Sequence, residues 1–179
     1  STELPFLKVV PCNSDLTGAE VELLQMEERE FVLSQSLEKL KKKFDYIIID
    51  SPPSLNILTV NNMAASDGII IPIQCEYFAL EGLSRIMETY ATIKSINSKL
   101  EIYGIVLTMY DKRVKLTYEV ENDVRSHFGQ MVFSTVIPRN VKLSESPSFG
   151  MPIVLYDISS IGAKKYLELA EEFLNRMKG

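Results

Sequence analysis

Apolar residues fall into five short runs along this chain: Phe6 to Val10, Tyr46 to Ile49, Ile69 to Ile73, Ile102 to Leu107, and Val132 to Ile137. The runs are rich in Ile and Val and mostly lack polar alternation, as do strands buried on both faces. Between and after them, apolar positions recur at helical spacing. Leu33, Leu37, Leu40 and Phe44 form one set, and Leu80, Leu83, Ile86, Met87 and Tyr90 a second. Ala163, Leu167, Ala170, Leu174 and Met177 form a third near the C-terminus. Each set falls on one helical face. The alternation predicts a single α/β domain over residues 1–179, a doubly wound, mostly parallel sheet flanked by helices with right-handed crossovers. No repeat, low-complexity tract or linker interrupts it.

Ligands of open parallel sheets sit beyond the carboxyl ends of the strands. That rule selects residues 50–53, 74–76, 108–111 and 138–140, which should converge on one sheet edge. Asp50 directly follows an apolar run, where P-loop enzymes place a carboxylate that helps to hold Mg²⁺. One Asp acting through water suffices for a cation that keeps several waters. Pro52 and Pro53 impose a rigid exit that fixes its direction. The plain alternative is that Asp50 caps a helix near residues 55–65. Asp45 reads as a solvent-facing strand entry. Residues 136–148 follow a strand, are polar and contain prolines, as binding loops on rigid scaffolds do. Pro138 offers a flat apolar face and Asn140 an amide suited to a base edge; the alternative is an ordinary surface crossover.

Composition adds limits. At 46% hydrophobic and 24% charged, the chain matches ordinary globular proteins. No stretch is long and apolar enough for a membrane helix, and the start has no secretory pattern. Cys12 and Cys75 fit no metal spacing and read as reduced core residues in a cytoplasmic protein. The net charge is −5, yet residues 111–142 hold six Lys or Arg against four acids. His127 beside Phe128-Gly129 reads as a helix-end or surface residue, and Met26, Met63, Met87 and Met177 as core filler.

The strings FDYIIIDSPPSLNILTVN, PIQCEYFALEGLSR, LTMYDKR and VIPRNVKLSESPSFGMPIVLYD, in this order and spacing, closely resemble the ParA/Soj-type chromosome- and plasmid-partitioning ATPases. GAEVEL at 18–23 and YLELAEE at 166–172 extend the resemblance over the whole chain. It implies a deviant-Walker P-loop fold whose cofactors are ATP and Mg²⁺, and a homodimer that sandwiches two nucleotides. It further implies a nucleoid-associated dimer that binds DNA without sequence preference and is released when a ParB-type centromere-binding protein stimulates hydrolysis. By position, Asp50 matches the Walker B aspartate, and Pro138, Arg139 and Asn140 match the loop against the adenine. Arg113 and Lys142 match basic positions that contact the DNA backbone.

One departure matters. No GxxxxGK[ST] pattern occurs in these 179 residues. The resemblance implies that the phosphate loop, its lysines and the water-orienting aspartate lie N-terminal to this sequence. No catalytic residue is therefore assigned within it. The amides and lysines that cradle phosphates supply most nucleotide affinity, so the chain alone is expected to bind ATP weakly and to be inactive. A purely structural remnant is the competing reading. Septum-positioning relatives end in a basic membrane helix, whereas the last helix here carries Glu168, Glu171 and Glu172, so no membrane role is expected. Iron–sulfur carriers would need clustered cysteines, and receiver domains clustered N-terminal acids.

Overall fold

In the computed structural model, which describes residues 2, 4–13 and 16–178 apart from the Thr17 side chain, two units separate at residue 66: Ser1–Ser66 and Asp67–Gly179. The first holds helices α1 (Leu16–Leu23), α2 (Val32–Lys41) and α3 (Ile57–Ala65). Helix α3 starts after Pro52 and Pro53 because Asn56 caps it. The Asn56 side-chain oxygen accepts from the N–H groups of Leu58 at 3.1 Å and Thr59 at 3.3 Å. Asn61 is buried yet fully engaged. It accepts from the Leu33 N–H at 3.1 Å and donates to the Arg29 and Ile57 carbonyls at 2.8 and 3.0 Å. A buried amide is tolerated when so satisfied, and here it fastens α2 to α3.

Two of the five expected strands do not form. Residues 6–10 and 46–49 join no ladder among the described residues, and their side chains meet solvent, Ile48 being 92% exposed and Val10 88%. High β-propensity expresses a fit to a paired, half-buried surface, so it creates no strand without a neighbour. Cys12, at the end of the first run, is accordingly exposed and not the core residue expected; Cys75 is buried.

In the second unit, β1 (Gly68–Gln74) and β2 (Glu101–Thr108) pair in parallel, with an irregularity after Ile69 and then Ile70↔Gly104 through Gln74↔Thr108 in register. The fifth apolar run lies parallel along the other edge of β2. Phe133 and Ile137 donate to the Ile105 and Leu107 carbonyls at 2.8 Å each, and Tyr110 donates to Ile137 at 3.1 Å. Bridges at Val132 and Pro138 mark its ends. Pro138 lacks an N–H yet costs this ladder no bond, because the N–H groups that cross there belong to Tyr110 and Arg139.

Side-chain alternation divides the core. Ile71, Ile73 and Cys75 of the β1 end, with Ile105, Leu107 and Val132, pack under α4 (Ala79–Lys94) and α5 (Lys115–Phe128) through Leu83, Val120 and Val124. On the opposite face Val106, Phe133 and Ile137 meet Leu143 of α6 (Val141–Glu145) and Leu169 and Phe173 of α8 (Ile161–Arg176). Helix α7 (Ile153–Tyr156) lies between them in sequence. This is a parallel sheet with helices on both faces, each fully buried apolar side chain contributing about 1.5–3 kcal/mol. Gly104 is required on the second face, because a Cβ there would strike the Phe133 ring.

Of the expected α8 stripe, Ala163 is fully buried but the later positions are not. Leu167, Leu174 and Met177 are exposed, while Leu169 and Phe173 turn inward. Gly162 packs closely here, since a Cβ there would lie 2.6 Å from Leu143 Cγ. Met63 and Met87 fill core space as expected, whereas Met26, like Met177, is exposed. Among the described residues no helix is long and apolar enough to cross a membrane.

Candidate functional site

The ends of β1, β2 and the fifth run meet at one rim of the second unit. Cys75 N–H donates to the Thr108 carbonyl at 3.1 Å, and Arg139 N–H donates to the Tyr110 carbonyl at 3.0 Å. Across the rim the Arg139 guanidinium lies 3.8 Å from the Glu76 carboxylate. Met109, between the last β2 residue and Tyr110, has φ of 51°, a left-handed conformation that costs a non-glycine residue about 1–3 kcal/mol. That turn leads into buried Tyr110 and then Asp111, whose side chain is 17% exposed.

The floor is a polar chain that sequence reading missed. The Tyr110 hydroxyl donates a short hydrogen bond to Glu121 of α5, which also accepts from Arg125 Nε at 2.8 Å. Burial and Glu121 raise the Tyr110 phenol well above its ordinary value. Burial, then the Glu121 charge, push the Cys75 thiol up to about 11. Burial alone would raise Glu121 as well, but its bonds from Tyr110 and Arg125 prevail and hold its carboxyl below the usual range. The available signal was the i, i+4 spacing of Glu121 and Arg125 on α5.

Of the expected binding loop, Pro138 is half-buried against Tyr110 and the Arg139 side chain is exposed. Asn140 caps α6, its side-chain oxygen accepting from the Leu143 N–H at 3.3 Å. Arg113 follows Asp111 in a tight pairing: Nε and Nη2 donate to the two carboxylate oxygens at 3.0 and 2.8 Å. Bonds from Arg113 hold the Asp111 carboxyl well below its ordinary value. Lys142 of α6 donates to Glu145 at 2.9 Å and sits 5.7 Å over the Tyr156 ring. Tyr156, itself stacked on Phe149 at 5.1 Å, donates its hydroxyl to Glu145 at 3.0 Å. Glu145 raises the Lys142 ammonium in turn. His127 is exposed near the end of α5, its Nδ1 2.7 Å from the Asp123 carbonyl oxygen.

Asp50 belongs to the first unit. It is exposed, in an irregular segment whose next residue, Ser51, accepts from Asn62 at 2.7 Å. It does not cap α3, because Asn56 does, which removes the plain alternative for this aspartate. Among the described residues no three His, Cys, Asp or Glu side chains come together to hold a metal. A Mg²⁺ at Asp50 would therefore take one carboxylate and complete its shell from phosphates and water. One exposed carboxylate fits that partial role.

A family model described as an AAA domain matches residues 1–102. The chromosome partitioning protein ParA of Caulobacter vibrioides is 51% identical over 178 residues, covering 98% of this chain and 67% of that protein. The sporulation initiation inhibitor protein Soj of Bacillus subtilis is 50% identical over 173 residues, covering 96% and 68%. Among solved structures, a cobyrinic acid a,c-diamide synthase from Mycobacterium smegmatis with bound ADP and magnesium superposes with a TM-score of 0.78 at 35% identity, covering 94% of this chain and 62% of that one. The chain thus spans about two thirds of the length of the proteins it matches. With half of its residues identical to ParA and Soj over nearly its whole length, this chain belongs to the ParA/Soj family of partitioning ATPases.

Proposed function

We propose that the protein containing this chain is a chromosome- or plasmid-partitioning ATPase that binds MgATP, dimerises on it, holds DNA without sequence preference, and lets go when a ParB-type partner stimulates hydrolysis. The observation that carries the reading is the identity of about half to ParA and Soj over 98% and 96% of this chain. The 35% identical synthase favours the same cofactor class, since it was crystallised with ADP and magnesium. Its biosynthetic chemistry is the weaker guide, because the partitioning proteins are closer in sequence.

In this reading Asp50 holds Mg²⁺ through water, and Pro138, Arg139 and Asn140 lie along the adenine. Magnesium supplies charge neutralisation at the phosphates. Arg113 and Lys142 contact the DNA backbone by charge alone, so binding falls steeply with salt. The full-length protein should release phosphate from ATP, and Asp50→Ala should abolish that release while leaving the fold intact by circular dichroism. Unchanged turnover in Asp50→Ala would overturn the assignment.

A second reading concerns the 179 residues alone and rests on the absence of a GxxxxGK[ST] loop from them. By themselves they act as a structural or interaction unit without tight nucleotide binding. Their melting temperature should not respond to MgATP, whereas a nucleotide-binding fragment would melt higher.

A further inference from the structure

Both cations assigned to the DNA backbone are already held by carboxylates of the same chain. Arg113 makes a two-pronged pair with Asp111, and Lys142 pairs with Glu145. Each carboxylate also has a second holder that does not involve the cation's charged end. The Asp111 Oδ1 accepts from the Arg113 backbone N–H at 3.0 Å, and the Glu145 Oε2 accepts from the Tyr156 hydroxyl at 3.0 Å. The Arg113 side chain is 87% exposed and that of Asp111 17%, whereas Lys142 and Glu145 are nearly alike at 45% and 39%. Lys115 and Glu119, by contrast, form an ordinary exposed i, i+4 pair at 3.0 Å.

We propose that Asp111 and Glu145 are built-in competitors of DNA phosphate for Arg113 and Lys142, and that they set how weakly this protein holds nucleic acid. The proposal rests on the reading that those two cations contact the backbone. A phosphate that takes the donors now held by a carboxylate exchanges one ion pair for another, so the pair won is offset by the one lost. The carboxylate then stays in place, fixed by the backbone N–H or by the Tyr156 hydroxyl, and repels the phosphate it faces. Weak, rapidly reversible attachment follows without any change of fold. The effect is screened at high salt, because all four groups are at least partly solvated.

The test uses the full-length protein with MgATP and fluorescent duplexes of several sequences, titrated across a salt series. Asp111→Asn and Glu145→Gln keep the local hydrogen-bond acceptors but remove the charge. Each should tighten binding by about two- to fivefold at low salt, equally on all duplexes, as expected from releasing an exposed ion pair. The gain should vanish when the same changes are made on Arg113→Gln and Lys142→Gln backgrounds. Tyr156→Phe should tighten binding in the same direction, by loosening Glu145. If Asp111→Asn and Glu145→Gln leave affinity unchanged, or if their gain persists without the partner cation, competition is refuted. If Arg113→Gln and Lys142→Gln themselves do not weaken binding, the backbone-contact reading fails first and takes this inference with it.

Discussion

At the scale of single residues, Glu172 shows how one carboxylate can replace a missing ladder. It accepts from the N–H groups of Ser134 and Thr135 at 2.7 and 2.8 Å and from Arg176 at 2.9 Å. Arg176 in turn donates to the Val132 carbonyl at 3.0 Å and lies 4.1 Å over the Phe133 ring. Burial would raise the Glu172 carboxyl, but these bonds hold it below its ordinary value. Its stabilisation is therefore present above the usual carboxylate range and fades as pH falls through the lowered value. Glu172→Ala leaves two N–H groups without their acceptor and should cost about 1.5–3 kcal/mol in urea unfolding. Cys75 works in the opposite direction. Its thiol is raised from 9.0 to about 11, so its contribution is whole below pH 9 and is lost as pH rises toward 11. At neutral pH a thiol reagent should label exposed Cys12 and spare Cys75 until the chain unfolds; prompt double labelling would contradict the packing. The Glu172 role was not legible in the sequence, because it depends on what tertiary contact brings near; the burial of Cys75 was expected from its place after an apolar run.

Local sequence did best at the scale of elements. The α4 face of Leu80, Leu83, Ile86 and Met87 packs on the core as its spacing predicts. The helix after Pro53 exists, with Asn56 and not Asp50 as its cap. Asn56→Ala should cost about 1 kcal/mol and loosen residues 57–65 in hydrogen exchange. The α8 face was misjudged because that helix carries apolar residues on two sides. Periodicity cannot choose between two such sides; packing of Leu169 and Phe173 against Val106, Phe133 and Ile137 did. Gly104→Ala should cost about 1–3 kcal/mol through its clash with Phe133, read as a fall in melting temperature. An unchanged melting temperature would mean that the two segments do not approach so closely.

At the scale of the whole chain, three of the four expected rim segments gather at one edge of the second unit, and the pairing that gathers them is parallel. The runs at 6–10 and 46–49 form no strand among the described residues and present exposed Phe6, Val10 and Ile48. Exposed apolar segments of high β-propensity invite pairing with other chains. The 179-residue chain should therefore self-associate across a concentration series in sedimentation velocity, and a monodisperse monomer throughout would count against it. Substituting Ile48 and Val10 by Lys should reduce the association.

The sequence alone determined the class of fold, the central strands and the family, because buried Ile/Val runs, helical spacing and long specific strings are local properties of the chain. Tertiary structure decided which apolar runs became strands, since a ladder needs a second backbone. It also decided which face of α8 is buried and which partners hold Arg113, Lys142, Glu121 and Cys75. Charge and burial act through space, and the distances that set them arise only once the chain has folded.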